Sequence, residues 1–453
     1  MTIERFIVFG ATGDLAARSL VPAIARLHHR GLLPPDVQIL GVGHEDWDTA
    51  ALRDRLEQGL TARAPDVPAD ARAAVLSRLT YQHADVTDAA AVRAVIGDRA
   101  THDVYYLALP PGLFPAAIEA IASSPRHEDS RLVIEKPFGE DLHSAQTLNR
   151  IVHRCFAERS VFRMDHFLGK QTVQNILGLR FANRLFEPVW NHEHIARVEI
   201  TFDETIALEG RAGFYDRTGA LRDVVQNHLL QLLALVAMDP PASFSERDLR
   251  DRKAQVLRAV RRPSPDEIGR DTVRARYVAG GDHPAYTDEP GVEPDRCTET
   301  FAAAVVWIDN WRWAGVPFVL RTGKALASDR HEIVVRFRPV PHLAFGDRTE
   351  AEPNVLRLEM DPDRMALGID INGPGDPFDL EHTQLVRELA PQSLDAYARL
   401  LLDVVEGDPT LSIRDDEAEE SWRIVEPVLA AWHDDAVPML EYPAGSPGPP
   451  LRL

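Results

Sequence analysis

The sequence predicts two units: an α/β unit built on a parallel sheet over residues 1–165, and an α+β unit with a large, mainly antiparallel sheet over residues 166–453. Three observations predict this. Up to residue 165, short apolar runs alternate with helical stretches. Beyond it, period-two segments and long helices follow each other less regularly. The length, 453 residues, suits two or three domains at roughly 150 residues each.

In the first unit, the apolar run 5–9 leads into Gly10-Ala11-Thr12-Gly13-Asp14-Leu15. A helical stretch follows, with Leu20, Ala23, Ile24 and Leu27 near the helix period, and Gly31 ends it. Residues 37–43 are a second strand, and 81–86, 103–109 and 132–134 continue the rhythm. Strand, glycine turn, helix and strand make the first half of a Rossmann-type dinucleotide fold, in which glycines let the backbone approach a pyrophosphate at a helix N-terminus. Taken alone, Gly10 and Gly13 read equally well as a plain tight turn. Lys136 follows the strand 132–134, where ligands of parallel sheets collect; by position alone it reads equally as a solvated lysine.

In the second unit, residues 198–203, 333–337 and 355–358 alternate with period two. Helices are expected over 172–181, 220–238 and 394–405. The stretch 262–294, rich in Pro, Gly, Asp and Arg, is expected to be irregular, and the proline-rich tail 442–450 cannot be helical. Three segments carry chemistry. Asp165, His166 and Lys170 fall within six residues. On a regular helix, Leu221, Val225, His228 and Leu232 share one side, so His228 points with the apolar face, as a satisfied core histidine also would. Lys324 follows a strand and a glycine, in what reads equally as an ordinary turn.

Composition excludes several classes. Seventy acidic against fifty basic residues give a net charge of −20, which disfavours non-specific nucleic-acid binding. Two cysteines, Cys155 and Cys297, do not make a secreted disulfide scaffold. No apolar run reaches a membrane span, and the first strand begins too early for a signal peptide, so a cytoplasmic protein without a membrane partner is expected. Only four of the fifty cations are lysines: Lys136, Lys170, Lys253 and Lys324. A guanidinium fork does not replace a compact ammonium everywhere, which singles these four out.

The segments GATGDLA, YLALPP, EKPFG, RMDHFLGK, RAGFYDRTGALRDVVQNHLLQ, IDNWRWAGVPFVLRTGK and YPAGSPGP occur in one order along nearly the whole chain. Together they closely resemble the glucose-6-phosphate dehydrogenase family. RFANRLFEPVWN and the acidic GHEDWD look most like a divergent actinobacterial branch of it.

The resemblance implies oxidation of C1 of glucose 6-phosphate to 6-phosphogluconolactone in the oxidative pentose phosphate pathway, with hydride passing to NADP or NAD. It implies His228 as the base for the C1 hydroxyl and Asp165 as the carboxylate that orients it. His166 and Lys170 match phosphate-binding positions, Lys324 a further substrate position, and Glu204 and Asp223 positions that hold sugar hydroxyls. Lys136 matches a lysine between cofactor and substrate. Gly10, Ala11, Thr12, Gly13, Asp14, Leu15, His44, Asp85 and Val86 make up the implied cofactor set, and no metal is assigned. A homodimer or homotetramer, formed through the second unit's sheet, is also implied. No role is assigned to Lys253.

The chain also departs from the family pattern. Phe167 stands where a tyrosine is usual, Ala17-Arg18-Ser19 replaces two cations, and Asp329, Glu359 and Asp361 replace basic or amide residues. His44, followed by Glu45, replaces the arginine that usually pairs with the 2′-phosphate of NADP; a carboxylate there suits a free ribose hydroxyl. These departures leave a dehydrogenase of a different hexose phosphate as the alternative. A non-catalytic sugar-phosphate sensor is the further alternative; intact Asp165, His228 and Lys170 argue against it, because a sensor needs no general base.

Overall fold

The structure, a computed structural model, describes residues 3–208, 210, 212–345, 351–375 and 378–450. The chain divides into two compact units, one of residues 1–170, 241–250 and 392–419, the other of residues 171–240, 251–391 and 420–453. No helix among the described residues is long and apolar enough to cross a membrane.

The first unit holds β1 (Arg5–Phe9), β2 (Gln38–Gly43), β3 (Leu79–His83), β4 (Asp103–Leu107), β5 (Arg131–Glu135) and β6 (Val161–Met164). Among the described residues they form one sheet of order β3-β2-β1-β4-β5-β6, parallel throughout. That is the doubly wound order of dinucleotide-binding folds. Strand β4 is buried along its whole length and β1 almost so, because helices cover both faces of such a sheet. The third strand sits two to three residues earlier than the expected 81–86, so Asp85 and Val86 follow it rather than belong to it. The expected 103–109 stops at Leu107, ahead of the prolines.

The late segment 392–419 joins the same core. Leu400, Leu401 and Val404 of the helix Ala396–Glu406 pack with Ala23, Ile24 and Leu27. Arg131 caps that helix by donating to the carbonyls of Val404 (2.5 Å) and Val405 (2.7 Å).

In the second unit lie β7 (Ile195–Asp203), β8 (Thr272–Val278), β9 (Phe301–Val306), β10 (Phe318–Gly323), β11 (Arg330–Phe337), β12 (Val355–Met360), β13 (Asp363–Asn372), β14 (Leu380–Glu388) and β15 (Met439–Pro443). Among the described residues they form one sheet, ordered β14-β13-β12-β11-β7-β10-β9-β8-β15. It is antiparallel except for two pairs, β7 with β10 and β8 with β15. The stretch 262–294 is irregular only in part: it contains the helix Pro265–Asp271 and strand β8, while residues 279–293 form turns, an isolated bridge and one short 3₁₀ turn. Ser264 and Glu267 form a capping box that starts the helix, and β9 and β15 flank the strand.

The helix expected over 220–238 is present, running from Ala220 to Ala237, but its geometry is not uniform. Helix Ala212–Ala220 is interrupted at Gly219, a wide π-type stretch covers Leu221–Leu229, and a regular helix follows over Leu230–Ala237. The expected single apolar face does not exist there: Val224 through Ala237 are all buried, as in a helix surrounded by protein. The wide stretch packs over β7, β9 and β10.

Candidate active site

The first unit carries the glycine turn. Strands β1 and β2 run parallel with Phe9 opposite Val42, so residues 10–13 and 43–45 leave the sheet side by side. Gly10 adopts φ +85°, and a Cβ there would stand 2.2 Å from the Ala108 carbonyl oxygen, so only glycine fits. The backbone N–H groups of Gly10 and Ala11 both donate to Val42 O, at 2.8 and 3.1 Å, which folds the turn back over β2. Gly13 and Asp14 are exposed, Thr12 and Leu15 half-buried and Ala11 buried. Asp14 accepts from Arg55 at 2.9 Å. A tight, bare backbone at the C-terminal end of β1, opening into a helix, fits a dinucleotide pyrophosphate.

His44 is exposed. Asp85 is exposed too, but its Oδ1 accepts from the backbone N–H and the hydroxyl of Thr87, at 2.8 and 2.7 Å, and these bonds hold its carboxyl below its ordinary range. Val86 is buried.

Lys136 follows the C-terminal end of β5 and is half-buried. The carboxylate of the preceding Glu135 accepts from the hydroxyls of Tyr106 and Tyr397. Burial pushes the Glu135 carboxyl up; the tyrosines and Lys136 oppose this and the Asp165 charge adds to it. Asp165 is buried and begins a short helical turn, His166–Gly169, by accepting from Phe167 N at 3.0 Å. Phe167 explains how its neighbours are arranged. Its buried ring meets the exposed His166 edge-on, 4.9 Å between centroids, and the Lys170 ammonium lies 5.2 Å from its centre. The ring thus supports both groups read as phosphate ligands, without a hydroxyl of its own.

The second unit assembles the rest. In the parallel pair β7/β10, Gly323 lies opposite Asp203, so Lys324 and Glu204 emerge together although 120 residues separate them. The Lys324 ammonium bonds the Glu204 carboxylate and lies 6.0 Å from the ring centre of the buried Tyr215. The Lys324 backbone is fixed as well: its N–H donates to Thr300 O at 2.9 Å, and its carbonyl accepts from the Tyr442 hydroxyl at 2.6 Å.

Asp223 is half-buried and His228 buried, both in the wide stretch over β7, β9 and β10. The backbone N–H of His228 donates to Asn227 Oδ1 at 2.6 Å, and the Asn227 side-chain amide donates to Arg222 O at 3.1 Å. Burial first, then the charges of Asp223, Glu299, Tyr442 and Glu204, push the Tyr215 hydroxyl far above its ordinary value. The Lys324–Glu204 pair thus lies beside Tyr215, and the Asp223 charge acts on the same hydroxyl.

Both ends of the His228-bearing segment are held. Glu299 accepts from Leu221 N at 2.9 Å at its start. At its end the buried Arg180 donates to the carbonyls of Leu235 (3.1 Å), Val236 (3.0 Å) and Met238 (2.8 Å), and Trp190 and Trp313 donate to Val236 O and Ala237 O. Burial pushes the Arg180 guanidinium down to about 10, against the attraction of Glu187. Tyr215, Glu299, Arg180 and Tyr442 were not among the residues singled out by sequence. Arg180, Tyr215 and Tyr442 lie inside segments quoted above, so a signal existed; Glu299 carries none, because its partner is distant in sequence.

Comparison with known proteins agrees with this architecture. The family model for the NAD binding domain of glucose-6-phosphate dehydrogenase matches residues 7–175, and that for its C-terminal domain matches residues 177–452. The glucose-6-phosphate 1-dehydrogenase of Mycolicibacterium smegmatis is 43% identical over 470 residues, covering 98% of this chain and 94% of that relative. That of Treponema pallidum is 42% identical over 476 residues, covering 98% and 91%. The crystal structure of glucose-6-phosphate 1-dehydrogenase from Mycobacterium avium has a TM-score of 0.87 at 37% identity, covering 99% of this chain and 95% of that one. A glucose-6-phosphate dehydrogenase solved in complex with glucose 6-phosphate has a TM-score of 0.89 at 31% identity, covering 99% and 96%. A parallel doubly wound sheet, a nine-stranded mixed sheet and this agreement across almost the whole chain establish that the protein belongs to the glucose-6-phosphate dehydrogenase family.

Proposed function

We propose that this protein oxidises C1 of glucose 6-phosphate to 6-phosphogluconolactone, with residues 1–165 binding the dinucleotide and residues 166–453 the sugar phosphate. The reading is carried by the match of both family domains, over 7–175 and 177–452. The nicotinamide, when bound, accepts the hydride; NADP use is typical of the family.

The chain's own groups divide the remaining work. His228 takes the C1 hydroxyl proton, since hydride leaves more readily from a developing alkoxide. Asp165 serves as its carboxylate partner and favours the charged imidazole. His166 and Lys170 hold the phosphate, a task for cationic donors. Glu204, Asp223 and Lys324 hold the sugar, Lys136 stands between it and the dinucleotide, and residues 10–15, His44, Asp85 and Val86 line the dinucleotide. The Lys324–Glu204 pair and the Phe167 ring beneath His166 and Lys170 support these assignments.

Mixing protein, glucose 6-phosphate and either nicotinamide while following absorbance near 340 nm tests the activity. Sustained reduction is expected, and none with either dinucleotide between about pH 6 and 9 sinks the reading. His228→Asn is expected to lower kcat by about 10³-fold or more while sugar phosphate still binds.

The assembly proposed is a homodimer or homotetramer through the second unit's sheet. Ile371 on β13 and Leu385 on β14 lie on the same side of the sheet and are exposed, which supports a covered face there. Light scattering on the purified protein decides; a monomer at micromolar concentration removes it.

A further inference from the structure

One carboxylate is built into the rim of the glycine turn. Glu45 lies two residues beyond β2, and its Oε2 accepts from the Thr12 hydroxyl at 2.7 Å. Its backbone carbonyl accepts from the Tyr81 hydroxyl at 2.6 Å and from Trp47 N at 2.9 Å. A Cβ on Gly43 would stand 2.9 Å from both Glu45 Oε2 and the Tyr81 hydroxyl, so the carboxylate fills the space that this glycine leaves open.

Burial raises the Glu45 carboxyl, but the Thr12 hydroxyl, backbone bonds and His44 outweigh it and hold it below the usual range. It is therefore ionised at neutral pH. The surroundings add little positive charge. His44 Nδ1 is 3.4 Å from Oε2, Asp48 caps the next helix, and Asp46 is close in sequence. The Arg55 guanidinium is engaged by Asp14.

Nicotinamide dinucleotides differ at one ribose 2′-oxygen, and doubly wound folds read that difference at the end of the second strand. A carboxylate accepts hydrogen bonds from free ribose hydroxyls and repels a phosphate dianion. We propose that Glu45, clamped by Thr12, is the specificity-determining residue of the dinucleotide site, and that this protein takes NAD in preference to NADP. The inference rests on reading the first unit as the dinucleotide site.

Calorimetric titration of NAD⁺ and of NADP⁺, separately and without sugar phosphate, tests it on the full chain and on Glu45→Gln and His44→Ala. The wild type is expected to bind NAD⁺ more tightly. Glu45→Gln, which keeps the size and an acceptor oxygen, is expected to shift the ratio toward NADP⁺ by about tenfold or more. His44→Ala is expected to leave NAD⁺ favoured. Tighter NADP⁺ binding in the wild type, or a ratio that Glu45→Gln leaves unmoved, overturns the proposal. Binding of neither dinucleotide to a folded protein would instead remove the dinucleotide reading itself, and this inference with it.

Discussion

The backbone N–H of Leu221 donates to Oε1 of Glu299 at 2.9 Å, joining residues 78 positions apart. The carboxylate occupies the space over Gly219, whose φ is +72° and on which a Cβ would lie 2.5 Å from Glu299 Oε1. The segment that carries Asp223 and His228 therefore starts from an acidic group and ends at the Arg180 guanidinium. Burial pushes the Glu299 carboxyl up, so it serves here as a hydrogen-bond acceptor, while the Arg180 guanidinium complements the dipole at the helix C-terminus.

Glu299→Ala leaves a buried N–H without its partner, and is expected to cost about 1–3 kcal/mol in chemical denaturation. Glu299→Gln keeps an acceptor and should lose less. Equal losses in both variants would show that the hydrogen bond is not the stabilising element.

Tyr442→Phe removes the hydroxyl that holds the Lys324 carbonyl, also 3.0 Å from Thr300 Oγ1. A stability loss of about 1 kcal/mol is expected. If Lys324 holds the sugar phosphate, KM for it rises while the Kd for dinucleotide stays level. A change in dinucleotide affinity alone would contradict this.

Asp403 gives a pH dependence with a definite sign. Burial pushes its carboxyl up to about 7, against the pull of the Arg399 guanidinium and with the Asp408 and Glu406 charges adding to the rise. The folded chain thus holds this proton more tightly than the unfolded chain. Its contribution is complete below the unfolded carboxyl's range near 4 and is lost as pH rises through about 7. Asp403→Asn should remove that loss, gaining about 1–3 kcal/mol relative to wild type between pH 5 and pH 8. The gain is read as the difference between denaturation midpoints at the two pH values; parallel changes in both proteins would refute it.

The net charge of −20 opposes an anionic substrate, so if Lys170 and Lys324 hold the sugar phosphate as proposed, capture depends on such local cations. Salt screens that attraction, and KM for the sugar phosphate should rise with ionic strength at unchanged kcat. A KM insensitive to salt would place these cations too deep for screening to matter.

Much of the first unit was legible because a parallel sheet writes near-continuous apolar runs separated by helical stretches. Strand β6 was not. Its four residues include Arg163, fully buried because Glu158 and Asn149 take its guanidinium at 2.6 and 3.0 Å, and such pairing has no signature in a window of four. The stretch 262–294 misled in part, for a related reason. Proline and acidic residues mark a loop by composition, yet Pro265 opens a helix where a missing N–H costs nothing.

By itself the sequence determined the order of units, a glycine-containing turn after the first strand, and the kinds of group available: a histidine, carboxylates and four lysines among fifty cations. Three of those lysines lie in the motifs that carry the family resemblance, while Lys253 is buried and remains without an assigned role. Tertiary structure alone decided which groups meet. Parallel register brings Glu204 to Lys324 and Thr12 to Glu45, and the wide stretch that carries His228 packs over β7, β9 and β10. The physical reason is that strand pairing and burial act between residues distant in the chain, where local periodicity carries no information.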